Sequence, residues 1–295
     1  MDIAIVGTGA IGGYYGVRLA LAGHRVHFLA HTEYDAIKAN GLRVDSVEGE
    51  FELPQPLVYN DPAAIPDVDL VCVAVKATAN AAVLPNLPKA PAILLMQNGF
   101  GVEPELAKLY PGARIYAGLC FICSFRDGPG VIRHTAYGGV SLASLEPDPE
   151  GLAQLAAMFK GAGLPAAVIG DVLAARFRKL IWNIPFNGLT TVLGVTTDKI
   201  VGDPVTRGLA RRLMEEIVAA AAACEVVIEP EFVDEMIQHT DEMTPYSPSM
   251  RLDYLAGRPL EIDVMYRNVI AYAAAHGYDM ARTAMLADEL EFLSV

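Results

Sequence analysis

Along the first half of the chain, short apolar runs alternate with segments whose apolar residues recur every three or four positions. Ile3 to Val6 is followed by a helical pattern from Ile11 to Ala22, then by Arg25 to Ala30 and a helix-like stretch from Glu33 to Ala39. Runs this short, with helices between them, predict βαβ units around a parallel sheet. The alternation continues through Leu70 to Val75, Ala92 to Gln97 and Arg114 to Phe121, and a glycine-rich stretch from Gly130 to Leu145 reads as antiparallel. Turn chemistry at Glu146-Pro147-Asp148-Pro149-Glu150 precedes a helix over Leu152 to Gly161 and a short strand at Ala166 to Ile169. Beyond Gly170 the pattern becomes helical, with start signals such as Asp203-Pro204, an N-cap followed by proline at the first helical position. The expected organisation is an α/β domain over residues 1–170 followed by an all-helical domain over residues 171–295.

Length agrees with two domains, because 295 residues exceed what one core usually organises. The hydrophobic fraction is 53%, yet no stretch approaches the ~18 uninterrupted apolar residues of a membrane span, so no membrane association is expected. Met1 to Val6 carries neither a basic n-region nor a cleavage site and runs directly into an apolar strand, which predicts a cytoplasmic protein. A net charge of −13 argues against nucleic acid as a partner, since phosphates call for a basic face, and an anionic ligand would have to be attracted by a few local cations. Four cysteines are too few and scattered for a disulfide framework. Cys120 and Cys123 have the spacing of a metal or redox pair, but they stand in an apolar run with no second pair and read as core thiols. Alanines from Ala219 to Ala223 allow close helix packing, inside the helical domain or against a second copy in a homodimer.

Gly7-Thr8-Gly9-Ala10-Ile11-Gly12 is a G-x-G-x-x-G sequence lying between an apolar strand and a helix pattern, with a second strand at βαβ distance. In that setting Gly7 permits the tight turn, Gly9 lets backbone approach a pyrophosphate, and Gly12 lets helix pack on strand. The α/β domain is therefore expected to be a Rossmann-type dinucleotide-binding domain, with the diphosphate at a helix N-terminus. At the end of the second strand, where an acid would read the ribose of NAD or an arginine the 2′-phosphate of NADP, the chain has Ala30 and His31. His31 leaves the choice open from residues alone: it pairs with a 2′-phosphate when protonated, lies against adenine, or faces solvent.

Arg176 to Leu189 is strongly apolar and carries Lys179, Asn183 and Asn187 at four-residue intervals, which puts a lysine and two amides on one helix face. Among Leu180, Ile181, Trp182, Ile184 and Phe186 the lysine is expected to be partly desolvated, which favours proton donation in carbonyl reduction. The alternative is a lysine that snorkels outward and asparagines that bond neighbouring backbone. Pro185 is expected to disturb the helix between the two asparagines. Ser249, in Pro248-Ser249-Met250-Arg251, and Glu261, in Gly257-Arg258-Pro259-Leu260-Glu261-Ile262-Asp263, read on their own as caps and loop residues.

In order along the chain, Gly7 to Gly12, Ala39-Asn40-Gly41-Leu42, Val75-Lys76, Gln97-Asn98-Gly99, Arg178-Lys179-Leu180-Ile181-Trp182-Asn183, Pro248-Ser249-Met250 and the 257–263 segment resemble the ketopantoate reductase family, the 2-dehydropantoate 2-reductases of pantothenate biosynthesis. The likeness runs from Ile3 to Leu286. It implies an interdomain cleft in which NADPH delivers hydride to the C2 carbonyl of ketopantoate, with NAD as the other candidate cofactor. Lys179 matches the family's general acid. Asn98 matches a residue beside nicotinamide and substrate, and Lys76 a lysine close to cofactor and substrate. Asn183, Asn187, Ser249 and Glu261 match positions that hold the substrate's hydroxyl and carboxylate ends. The chain departs from the pattern at His31, where many members carry arginine, and at Thr197 and Tyr246, where asparagines are expected. These departures admit a relative acting on another 2-keto or 2-hydroxy acid. A dinucleotide-sensing module without catalysis would keep the glycine loop but have no use for Lys179, Asn98, Ser249 and Glu261 together.

Overall fold

The computed structural model describes residues 1–294. The chain divides into two compact units, one made of Met1–Gln97 and Glu103–Val172, the other of Asn98–Val102 and the chain from Leu173 onward.

The first unit is built on ten strands: β1 (Asp2–Val6), β2 (Arg25–Leu29), β3 (Leu42–Ser46), β4 (Gly49–Leu53), β5 (Leu57–Tyr59), β6 (Leu70–Val73), β7 (Ala92–Leu95), β8 (Arg114–Gly128), β9 (Val131–Ser144) and β10 (Ala166–Asp171). They form one sheet in the order β4-β3-β9-β8-β7-β6-β1-β2-β5, with β10 also paired to β9. Strands β5, β2, β1, β6, β7 and β8 run parallel, whereas β8 and β9 form a long antiparallel hairpin and β4 is antiparallel to β3. Every residue of β6 and β7, and all of β1 after Asp2, is buried, as a parallel strand covered on both faces requires. Around the sheet lie α1 (Ala10–Leu21), α2 (Tyr34–Asn40), α3 (Asn80–Val83), α4 (Val102–Leu109) and α5 (Pro149–Gly161). Asp148 starts α5, accepting the Gly151 N–H at 2.9 Å and the Tyr116 hydroxyl at 2.5 Å. Its other end is closed by buried Arg18 of α1, which donates to the carbonyls of Ala162 and Gly163.

The second unit is helical: α6 (Val172–Val192), α7 (Thr197–Gly202), α8 (Pro204–Ala223), α9 (Glu231–Glu242), α10 (Ser249–Leu255), α11 (Asn268–Ala275) and α12 (Ala281–Leu293). A π-helical turn, Asp263–Arg267, leads into α11. Asp203 caps α8 through the N–H groups of Val205 and Thr206, with Pro204 at the first position. Helix α6 is the centre of the unit. From Leu180 to Thr191 every residue is buried, the signature of a helix enclosed on all sides.

Pro185 does not interrupt that helix, contrary to the expectation, since α6 is unbroken over 21 residues. The proline removes the N–H that would bond the Ile181 carbonyl, yet the helix runs on through a segment buried on all sides from Leu180 to Thr191, where packing outweighs the loss of one bond. The strands β3, β4 and β5 were not expected, and β8 extends to Gly128. All four cysteines are free thiols, and burial raises the Cys72 thiol far above its usual range, as befits a core residue. Among the described residues no helix is long and apolar enough to cross a membrane.

Candidate active site

The glycine loop joins β1 to α1, and each glycine has its own steric reason. Gly7 adopts φ +101°, and a Cβ there would lie 2.7 Å from the Val75 nitrogen. At Gly12 a Cβ would stand 2.0 Å from the Gly7 carbonyl oxygen, so helix could not close on strand. Gly9 differs, because a Cβ there would meet nothing within 4 Å. The room in front of Gly9 is space that a ligand can use. Helix α1 begins at Ala10 with no side-chain cap and no acid in its first turn, which leaves its first N–H groups and partial positive charge for an anion. Thr8 contributes backbone only, since its buried hydroxyl donates to the Leu29 carbonyl at 3.1 Å, and Ile11 packs against the apolar core. The loop therefore fits a dinucleotide pyrophosphate.

His31 is exposed just beyond β2, next to buried Ala30. The nearby acid Glu33 is already engaged, accepting the Gly130 N–H at 3.2 Å and pairing with Arg126. Lys76 is exposed in the turn after β6. That turn is held by Gln97, whose amide nitrogen donates to the Val75 carbonyl at 2.8 Å and to Asn80 Oδ1 at 2.7 Å.

In the helical unit, Lys179 is half-buried on α6, while Asn183 and Asn187 are buried one and two turns further on. Asn183 Nδ2 donates to Asn98 Oδ1 at 3.4 Å, which brings two expected site residues together from distant parts of the sequence. The amide of Asn187 is committed to backbone: Nδ2 donates to the Asn183 carbonyl at 3.0 Å, and Oδ1 accepts the Met250 N–H at 3.1 Å. That second bond pins the first turn of α10, where half-buried Ser249 is the first residue. Glu261 is buried immediately before the helix that contains the π-turn, and its carbonyl accepts the Met265 N–H at 3.1 Å. Thr197 is tied to the main chain of Tyr246: its N–H donates to the Tyr246 carbonyl at 3.0 Å, and its Oγ1 accepts the Tyr246 N–H at 3.1 Å. Arg258 seals α10 by pairing with buried Asp253 at 2.9 Å, which accounts for the Gly257-Arg258 step structurally.

A sequence model of the ketopantoate reductase PanE/ApbA family matches residues 3–147, and one of the PanE/ApbA C-terminal region matches residues 171–294. The chain belongs to the ketopantoate reductase family. Among its relatives, a 2-dehydropantoate 2-reductase of Nostoc sp. is 40% identical over 300 residues, spanning 98% of this chain and 94% of the relative. The crystal structure of a 2-dehydropantoate 2-reductase from Geobacter metallireducens superposes with a TM-score of 0.94 at 42% identity over 99% of both chains. D-mandelate dehydrogenase, solved with NADH and anilino(oxo)acetate, shares the fold at a TM-score of 0.88 and 24% identity, over 100% of this chain and 98% of that one.

For a ketopantoate reductase, three supporting residues escaped the sequence reading. Gln97 was visible only as part of a motif, and its partner Asn80 lies 17 positions earlier. Asn268 donates to the Phe100 carbonyl across 168 positions, a contact without any local pattern.

Proposed function

We propose that this chain catalyses the NADPH-dependent reduction of ketopantoate to pantoate in the cytoplasm, with Lys179 as the general acid. The observation that carries the reading is the inward face of α6, where half-buried Lys179 precedes buried Asn183, itself bonded to Asn98. Such a face has little structural purpose in a helix otherwise made of core residues.

The N–H groups of the Gly7–Gly12 loop and of the first turn of α1 would hold the pyrophosphate of the bound dinucleotide. His31 would stand near the ribose of a bound dinucleotide, and Glu33, two positions on, is tied to Arg126 and Gly130 rather than left to oppose a 2′-phosphate, which favours NADPH over NADH. When bound, the reduced nicotinamide supplies hydride to the C2 carbonyl carbon. Lys179 donates a hydrogen bond to the carbonyl oxygen and then gives it a proton, so that no free alkoxide develops. Asn98 and Asn183 present amide donors to the reacting end, while the Glu261 carboxylate accepts from the hydroxyl end of the acid and the Ser249 hydroxyl donates to its carboxylate end. Asn187 acts through backbone, fixing the turn that bears Ser249. Lys76 gives an acidic protein a local cation for an anionic ligand.

Loss of NADPH absorbance on adding ketopantoate tests this directly, with NADH in parallel. Lys179→Ala is expected to lower kcat by about 10²- to 10⁴-fold while NADPH affinity holds. Unchanged turnover in that variant refutes the general acid. The Thr197–Tyr246 pairing, at two positions where the family pattern has asparagines, favours a second reading in which the substrate is a different 2-keto acid. A panel of 2-keto acids separates the two.

A further inference from the structure

Asn98–Val102 follows β7 in the sequence but groups with the helical unit, and the contacts that hold it there are unusual. Phe100 is buried, its ring centroid 5.3 Å from that of Phe177 and 5.1 Å from that of Tyr272. Its N–H donates to the Val264 carbonyl at 2.7 Å, and its own carbonyl accepts Asn268 Nδ2 at 2.8 Å. A regular α-helix would offer no free carbonyl at Val264. Here the helix is widened over Asp263–Arg267, and the Asn268 N–H reaches back to the Asp263 carbonyl, five residues away, passing over Val264. Gly99 closes the fit: its φ is +109°, and a Cβ would lie 2.7 Å from Val264 Cβ and 3.0 Å from the Val264 oxygen.

The segment so held carries Asn98, and the helix that holds it begins directly after Glu261. The bond from Asn183 to Asn98 spans 3.4 Å, too long to fix Asn98 by itself. Its placement has to come from the backbone two residues away. We infer that the π-turn is a socket for the Asn98 loop and that Asn268 is a positioning residue for the reaction, holding Asn98 against Asn183 and in register with Glu261. The kinetic half of this inference rests on the reductase reading above; the structural half does not.

Asn268→Ala and Asn268→Asp are compared with the wild-type chain by hydrogen exchange of peptides covering residues 98–102 and by steady-state kinetics with whichever 2-keto acid of a panel the wild type reduces. Aspartate keeps the shape but turns an acceptor towards the Phe100 carbonyl. Both variants are expected to speed exchange in that segment and to raise KM for the acid about tenfold, the worth of one hydrogen bond, with NADPH affinity unchanged. A merely structural role would lower the melting temperature and leave KM where it was, and that result overturns the positioning role. Exchange equal to wild type overturns the socket. If the wild type reduces no acid of the panel, the reductase reading fails, and the exchange comparison alone then upholds or overturns the socket.

Discussion

Asn187 separates a structural asparagine from a ligand-binding one, and its substitution has a calculable cost. In Asn187→Ala the Met250 N–H loses its acceptor in a buried place, and an unsatisfied buried donor costs about 1–3 kcal/mol. The bond to the Asn183 carbonyl disappears as well, worth about 0.5–1.5 kcal/mol. Together these give about 2–4 kcal/mol, or about 6–12 °C in melting temperature for a unit of this size. The chain's single tryptophan, Trp182, lies in α6 and donates to Thr240 at 3.1 Å, so its fluorescence reports unfolding of the helical unit. Urea titration followed at that tryptophan measures the loss. Asn187→Asp is expected to fall further, because it keeps the acceptor for Met250 but sets an uncompensated carboxylate beside the Asn183 carbonyl. A loss below about 0.5 kcal/mol in Asn187→Ala would show that the two backbone bonds are not what this residue is for. A rise in KM without loss of stability would return Asn187 to direct contact with the substrate.

The glycine loop gives a paired prediction. Gly9→Ala places its methyl in open space, so titration with NADPH should show weakened binding with the melting temperature nearly unchanged, whereas Gly12→Ala, with its methyl 2.0 Å from the Gly7 oxygen, should fail in thermal melts of the apoprotein. At the start of α5, the hydrogen bond from Tyr116 holds the Asp148 carboxyl below its ordinary value of 3.8. A group depressed in the folded state contributes stability above its unfolded pKa and loses it as pH falls through the folded value. Asp148→Asn, which can still cap the helix, should therefore melt below wild type at pH 6, and the gap should begin to narrow as pH falls beneath 3.8 and vanish below the depressed folded-state value; a gap independent of pH would refute the assignment. Glu216, buried in α8, accepts the N–H groups of Arg282 and Thr283 and the Thr283 hydroxyl, at 3.0, 2.8 and 2.7 Å, and so caps α12. Glu216→Ala should cost about 2–4 kcal/mol in urea unfolding and Glu216→Gln less, since glutamine keeps one acceptor.

What the sequence made legible follows from how local each signal is. Strands β1, β6 and β7 are uninterrupted apolar runs because both their faces are covered, and helix α6 has its period and its Lys179–Asn183–Asn187 spacing written within a few turns. Strands β3 and β4 alternate Leu42, Val44, Phe51 and Leu53 with Arg43, Asp45, Glu50 and Glu52, β3 is completed by β9, nearly ninety positions away, and β5 is only three residues long, so none of them is an uninterrupted apolar run of the length of β1. Pro185 was given too much weight, since the packing that encloses its helix on all sides comes from distant elements that the local pattern does not show. In the candidate site the same division holds: residue types and spacing could be picked out along the chain, while the atoms those residues bond could not. Asn187 and Asn268 both act on backbone atoms, of Met250 and Phe100, and a backbone atom has no side chain by which a sequence could announce it. The π-turn is the clearest case, because its contribution is a hydrogen bond that the helix leaves unmade at Val264, and the loop bearing Asn98 is seated on that vacancy. If aim is carried by such bonds, substitutions at these supporting positions should change how tightly the acid is held while leaving the lysine's chemistry intact, whereas Lys179→Ala should do the reverse.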